Sequence, residues 1–221
     1  MAIAFDAASS SSQVSGTTLT WSHTCTGSNR FLIVSAYGGA DGTDISGMTY
    51  AGVAMTFVAK AQYPANNSYV HVYYLIAPAT GANNVVVSYT PNSRMAGVAT
   101  SYTGVKQSGQ PDSYNTKTQA GASTITQTTT VVATGCWGYA AEEGSNVTYA
   151  TTIGQGVITT MRGGYDDAIG VGDSNGPIGT GSQTLGLGTA APASHRGMVV
   201  LSFAPATGPT TIKTLNGVSV Y

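Results

Sequence analysis

Residues 68–105 read SYVHVYYLIAPATGANNVVVSYTPNSRMAGVATSYTGV. Three runs crowded with aromatic and β-branched residues, 69–76, 84–89 and 95–103, alternate with short gaps rich in Pro, Gly, Asn and Ser. Residues that pack well on a pleated surface, separated by turn formers, predict antiparallel strands. Side chains alternate along a strand, so Val70, Val72, Tyr74 and Ile76 face one way and Tyr69, His71 and Tyr73 the other. The rest of the chain has to be compatible with a sheet here.

It is. Runs at 3–5, 17–23, 31–37, 48–51 and 54–60 precede this stretch, and Gly52-Val53 reads as a tight hairpin turn. Beyond it, strands are expected at 112–117, 123–130, 132–139, 147–152, 157–161, 168–171, 182–187 and 197–203. The last alternates Val199, Leu201 and Phe203 with Met198 and Val200 and reads as buried on both faces. No window holds a helical period, and 29 glycines interrupt every attempt to draw one. The expected fold is all-β: an antiparallel β-sandwich, jelly-roll-like, as one domain over residues 1–204. Residues 205–209 (PATGP) read as a linker, and 210–221 (TTIKTLNGVSVY) as a C-terminal strand-like tail. Such a segment cannot bury itself; it frays or adds to a sheet edge. A docking role falls to Ile212, Leu215, Val218, Val220 and Tyr221.

Composition narrows the function. Of the 221 residues 42% are hydrophobic, ample for a core, while only 8% are charged, against about a quarter in typical domains. Low charge with high hydrophobicity argues against disorder and for a rigid β protein exposed to its environment or built into an assembly. A net charge of -1 with scattered Lys and Arg speaks against nucleic-acid binding. No apolar run of membrane-spanning length occurs. The opening MAIAFDAASSSS has neither the basic start nor the apolar core of a signal peptide, which suits a protein that reaches its destination without one. Cys25 and Cys136 are too few for a disulfide scaffold. They either pair across the sandwich or stay as buried thiols, the latter in a reducing compartment.

Candidate chemistry is sparse. Gly172-Asp-Ser174-Asn-Gly176 matches a nucleophile elbow, and His195 follows it, but no helix succeeds the motif; turn formation is the simpler reading. Gly170-Val-Gly172 lacks the strand–helix setting of a phosphate loop. Glu142-Glu143 reads as a solvated turn, since adjacent carboxylates on a strand point to opposite faces and cannot flank one sugar. Asp41, Asp44, Asp166 and Asp167 are weak calcium ligands without EF-hand spacing. His23, His71 and His195 lack metal-ligand spacing. No cofactor is expected. Thirteen tyrosines against four phenylalanines are a polar-aromatic bias, and Tyr69, His71 and Tyr73 form a candidate face for glycans or a partner subunit.

Several strings occur together: Thr18-Leu-Thr-Trp-Ser-His23, Asn29-Arg-Phe-Leu-Ile-Val34, Met48-Thr-Tyr-Ala-Gly-Val-Ala-Met-Thr56, Tyr74-Leu-Ile-Ala-Pro-Ala-Thr-Gly81 and Ala99-Thr-Ser-Tyr-Thr-Gly-Val-Lys-Gln107. Their order resembles the β-sandwich domains of tailed-phage structural proteins and of surface proteins of environmental bacteria. Ile212-Lys-Thr-Leu-Asn-Gly-Val-Ser219 is similar to short tails in phage structural genes. The resemblance covers roughly the first half and the last ten residues, mostly turn and core positions, and carries over no catalytic residue. It implies a non-enzymatic virion structural protein, a surface capsid decoration protein or appendage (fibre) subunit, contacting other virion proteins and copies of itself. The alternative is a carbohydrate-binding module of a viral or bacterial surface protein, binding host surface glycans.

Overall fold

A computed structural model describes residues 1–39, 44–63, 68–144 and 152–207, with backbone alone at 91–93, 190 and 191. Among the described residues it is all-β and antiparallel, with no helix and 74% strand, organised as two sheets that each roll nearly closed. The first contains β1 (Ala4–Ser10), β2 (Val14–Cys25), β3 (Phe31–Gly39), β4 (Asp44–Tyr50), β5 (Val53–Ala54), β6 (Thr56–Gln62), β7 (Ser68–Ile76) and β8 (Gly81–Thr103). The second contains β9 (Ser113–Val131), β10 (Trp137–Gly144), β11 (Ile153–Gly156), β12 (Thr160–Tyr165), β13 (Ile169–Asp173) and β14 (Gly181–Phe203).

Each sheet rolls because one long ribbon folds over on itself. β8 spans two of the expected strands and pairs with β2 through its first part and with β1 and β3 through its last. The register jumps between Ser88 and Ser93, where the ribbon turns the corner. β14 and β9 do the same, with the jump between Gly188 and Ala193. A bulge that adds unpaired residues bends the strand locally. The ribbon therefore belongs to two layers at once, an inner one and an outer one.

Periodicity then sorts the side chains. Leu32, Val34, Ala36, Tyr69, Tyr73 and Met95 point into the first roll, against Leu19, Met48, Tyr50, Val85 and Val87 of its outer layer. Ile125, Ala140, Leu185, Leu187, Met198 and Val200 fill the second. The opposite faces of the two inner layers pack on one another: Ile33, Val70, Val72, Val98 and Tyr102 meet Tyr139, Ile169, Val171, Val199 and Phe203. Strands β3, β7, β10 and β14 are thus buried on both faces and apolar along most of their length.

The second half repeats the first. Phe31 of β3 lies opposite Tyr102, and Trp137 of β10 opposite Phe203. Met48 of β4 faces Val87; Gly154 of β11 faces Leu187. β6 and β12 carry bulges at matching places, Phe57/Ala59 and Met161/Gly163. The turns entering β8 and β14 are both Thr-Gly with φ 84 at Gly81 and Gly181, a conformation that suits glycine. In each turn an amide closes it, Asn83 Nδ2 donating to Thr80 O and Gln183 Nε2 to Thr180 O. An approximate two-fold relates the halves. Phe31 packs on Phe203 at 5.4 Å, and the mate contact, Tyr102 on Trp137, is 5.9 Å. Near the axis Val105 bridges Pro205, with Lys106 N donating to Ala204 O and Ala206 N to Gly104 O. Contacts that recur in exchanged roles are what an isologous interface requires.

Several local expectations shift: residues 132–136 precede β10 instead of belonging to it, 157–159 join β11 to β12, and 182–187 and 197–203 are parts of one strand, β14. The β4–β5 turn is Ala51-Gly52 (φ 50 and 77), one residue earlier than expected. Residues 112–117 and 123–130 are one strand, β9, and residues 147–151 lie outside the described chain. Cys25 and Cys136 are free and buried. The linker residues 208–209 and the tail positions Ile212, Leu215, Val218, Val220 and Tyr221 lie outside the described residues.

Candidate functional site

The face of β7 carrying Tyr69, His71 and Tyr73 turns inward. Their exposures are 0%, 4% and 8%, so they offer no platform to a sugar or a partner. The cause is the rolled sheet: β4 and the first part of β8 cover the face that an open sandwich would show to solvent. His71 stacks on Tyr73 and tilts against Tyr69 and Phe57. Burial pushes its imidazole down to about 4, against the raising pull of Asp44. Asp44 Oδ1 approaches His71 Nε2 to 2.9 Å while Oδ2 takes a hydrogen bond from Lys60 Nζ at 3.0 Å.

Asp44 is therefore a partner for cations of its own half. Asp166 and Asp167 are exposed on the β12–β13 turn, and Asp41 lies outside the described residues. Among the described residues no three His, Cys, Asp or Glu side chains converge as a metal site. Asp173 is buried and engaged from three sides, by Tyr102 Oη at 2.8 Å, Arg162 Nε at 2.6 Å and Asn175 N at 2.9 Å. Arg162 also covers the Phe5 ring at 3.9 Å, so this network ties β12 and β13 to the first half.

Ser174 and His195 do not meet. Ser174 accepts from Gly138 N, at the start of β10, and donates to Gly176 O. His195 sits beside Glu143, five residues further along β10 and so about 16 Å away at strand rise. The nucleophile-elbow reading fails on that distance.

A different constellation forms where β7 begins and β10 ends. Ser68 Oγ lies 2.7 Å from His195 Nε2, and Glu143 Oε2 lies 3.5 Å from the same nitrogen. Ser194 Oγ is 3.1 Å from Nδ1, and Tyr63 stacks on the ring at 5.5 Å. All of Ser68, His195 and Glu143 are buried, and neither Glu143 oxygen accepts a hydrogen bond. Glu143 was expected in a solvated turn; it is instead on β10, as is Glu142, because the strand runs to Gly144. The two carboxylates do point to opposite faces. Glu142 turns into the second roll and takes a hydrogen bond from Arg196 Nη1 at 2.7 Å, both residues being fully buried. Burial pushes Glu142 up to about 7, Arg196 pulls it down and Glu143 raises it.

A serine, a histidine and a glutamate within reach invite comparison with a hydrolytic triad. The topology is wrong for one. In a triad the base takes the serine proton at one ring nitrogen and the carboxylate orients the ring through the other. Here serine and carboxylate share Nε2, and a hydroxyl occupies Nδ1. With Ser68 at 4% exposure a substrate has no approach. What the arrangement can do is hold a charged imidazole between acceptors.

Exposed aromatic rings include Phe57 on β6, Tyr165 on β12 and Tyr114 on β9. Tyr114 on β9 is 56% exposed beside a groove of about 410 Å³ lined by Asp112, Asn115, Thr128 and Thr130. Asn115 Nδ2 and Lys117 Nζ donate to Thr128 O and Thr126 O, closing the seam inside the folded ribbon. Sequence reasoning passed over Tyr114 because a lone Tyr among Ser, Asn and Thr shows no alternation. No family model matches the chain, and no curated protein matches it.

Proposed function

We propose that the chain is a non-enzymatic structural protein of a tailed-phage virion, a surface capsid decoration protein or an appendage subunit. What supports this reading, beyond the sequence resemblance, is the use made of the reactive side chains. Ser68, His195, Glu142, Arg162, Asp173 and Arg196 are spent on ties within and between the two halves. A protein whose task is to persist on a particle surface needs that cohesion, and one that turns over substrate needs the same groups free. Residues 210–221 dock on a neighbouring subunit in this reading. Removing residues 209–221 is expected to leave a folded protein that no longer occupies particles, as counted by quantitative gel analysis of purified virions. Normal occupancy by the truncated chain removes the docking role.

The carbohydrate-binding reading survives only at a new place. An exposed Tyr ring beside a groove lined by hydroxyls, an amide and the Asp112 carboxylate suits stacking on a sugar face with hydrogen bonds to its hydroxyls. Tyr114→Ala, a surface change with little expected cost in stability, should abolish any glycan-array signal. The same signal in both proteins, or none in either, ends this reading.

A further inference from the structure

The registers that relate the halves make Tyr37 equivalent to Glu143 and Arg94 equivalent to His195. Tyr37 lies opposite Ala96 and Glu143 opposite Gly197, each on the same face of the same strand pair. The fold itself thus has no need of an acid and an imidazole at these positions. Where one half keeps a permanent guanidinium, the other has an imidazole, which exists in a neutral and a protonated form.

The surroundings of that imidazole are suited to its charged form. Ser68 Oγ, Ser194 Oγ and Glu143 Oε2 are all able to accept, and together they cover both ring nitrogens. Two of the contacts, Ser68 on β7 and the Tyr63 ring after β6, belong to the other half of the molecule. From β9 the paired residue is Ala120, which carries no charge. From β3, Tyr37 lies close enough to feel Glu143, along with Arg94 and Asp167. Ala61 O and Gly197 close the remaining side of Glu143.

We propose that His195 is an acid-engaged latch between the two halves, with Glu143 as its buried counter-ion. Uptake of a proton makes both ring nitrogens donors. The Ser68 contact becomes charge-assisted, the Tyr63 stack becomes a cation–π contact, and Glu143 gains the partner it lacks. The seam between β7 and β10 is held more tightly in mildly acidic medium than at neutral pH.

Native-state hydrogen exchange reads this at one bond. Tyr63 N donates to Ser68 O beside the ring. After correction for intrinsic rates, protection of the Tyr63 amide in the full chain, taken relative to His195→Gln, should rise about tenfold from pH 7.5 to 5.5, the worth of one contact becoming charge-assisted. Glu143→Gln should reduce this relative rise. Tyr63→Leu, followed at the Tyr69 amide, should lose only the cation–π share. His23 and His71 are present in both proteins, so their own acid response cancels in the ratio of wild type to His195→Gln. A ratio of wild type to His195→Gln that stays flat between pH 7.5 and 5.5 overturns the proposal.

Discussion

Glu142→Ala is expected to be the most damaging single change in the second half, costing about 3–5 kcal/mol, the usual price of removing one partner of a buried pair. Arg196 is then left fully buried and cannot shed its charge. Its remaining partners are the carbonyls of Ala122 and Ser123 and the Thr189 hydroxyl. Arg196→Met should cost less. Glu142, already raised to about 7 by burial, simply takes up a proton when its cation is gone. The equivalent positions of the first half hold Ala36 and Met95, which pack as part of an ordinary apolar core. The double variant Glu142→Ala, Arg196→Met therefore installs a solution the fold already uses, and should lie within about 2 kcal/mol of wild type. Urea denaturation of the three variants completes a double-mutant cycle. Strict additivity would mean that the pair is not coupled and that the equivalence is irrelevant to energetics.

Acid should weaken the first half selectively. Burial holds His23 and His71 at about 4, each against a weaker raising pull from Asp6 or Asp44. A base whose folded value is depressed leaves the unfolded chain holding more protons between the two values. Its contribution is complete above about 6.5, the usual imidazole value, and is lost as pH falls towards 4. Two such groups together amount to several kcal/mol. Glu142 works in the opposite sense, since its raised value makes the folded state the better proton acceptor between about 4.5 and 7. Wild type should thus lose a few kcal/mol between pH 7 and pH 4.5, with Glu142 offsetting part. His23→Gln, His71→Gln should show no loss over that range, or a gain. Urea midpoints at pH 7, 5.5 and 4.5 make the comparison. A double variant as acid-sensitive as wild type would place the sensitivity elsewhere.

The strands were legible because alternation is a local property. Residues 69–76 and 197–203 could be read down to which side chains share a face. The length of β8, β9 and β14 was not legible. A strand that bulges in mid-course shows turn formers there, as at Pro91-Asn92-Ser93, and looks like a hairpin in one dimension. Inward and outward faces of β7 were equally ambiguous, because Tyr is compatible with both and only the roll of the sheet decides. Glu142-Glu143 misled for a related reason: two adjacent acids suggest solvent unless their partners are known, and Arg196 and His195 arrive from more than fifty residues away. The duplication left one visible trace, the Thr-Gly pairs at 80–81 and 180–181 with an amide side chain two residues later. Core positions of the halves share size and apolarity rather than identity, so pairing registers reveal what letters do not.

A strand that serves two layers has a mechanical consequence. In a stack of separate sheets an outer sheet can lift away while the rest stays folded, and the breathing of each layer is its own affair. Here β8 and β14 continue from the outer layers into the central ones, and lifting either outer layer drags on the middle of the molecule. Opening is then a collective event with a barrier set by the best-packed layer. Such a chain folds slowly, since its pairings join distant residues, and once folded it is correspondingly slow to come apart.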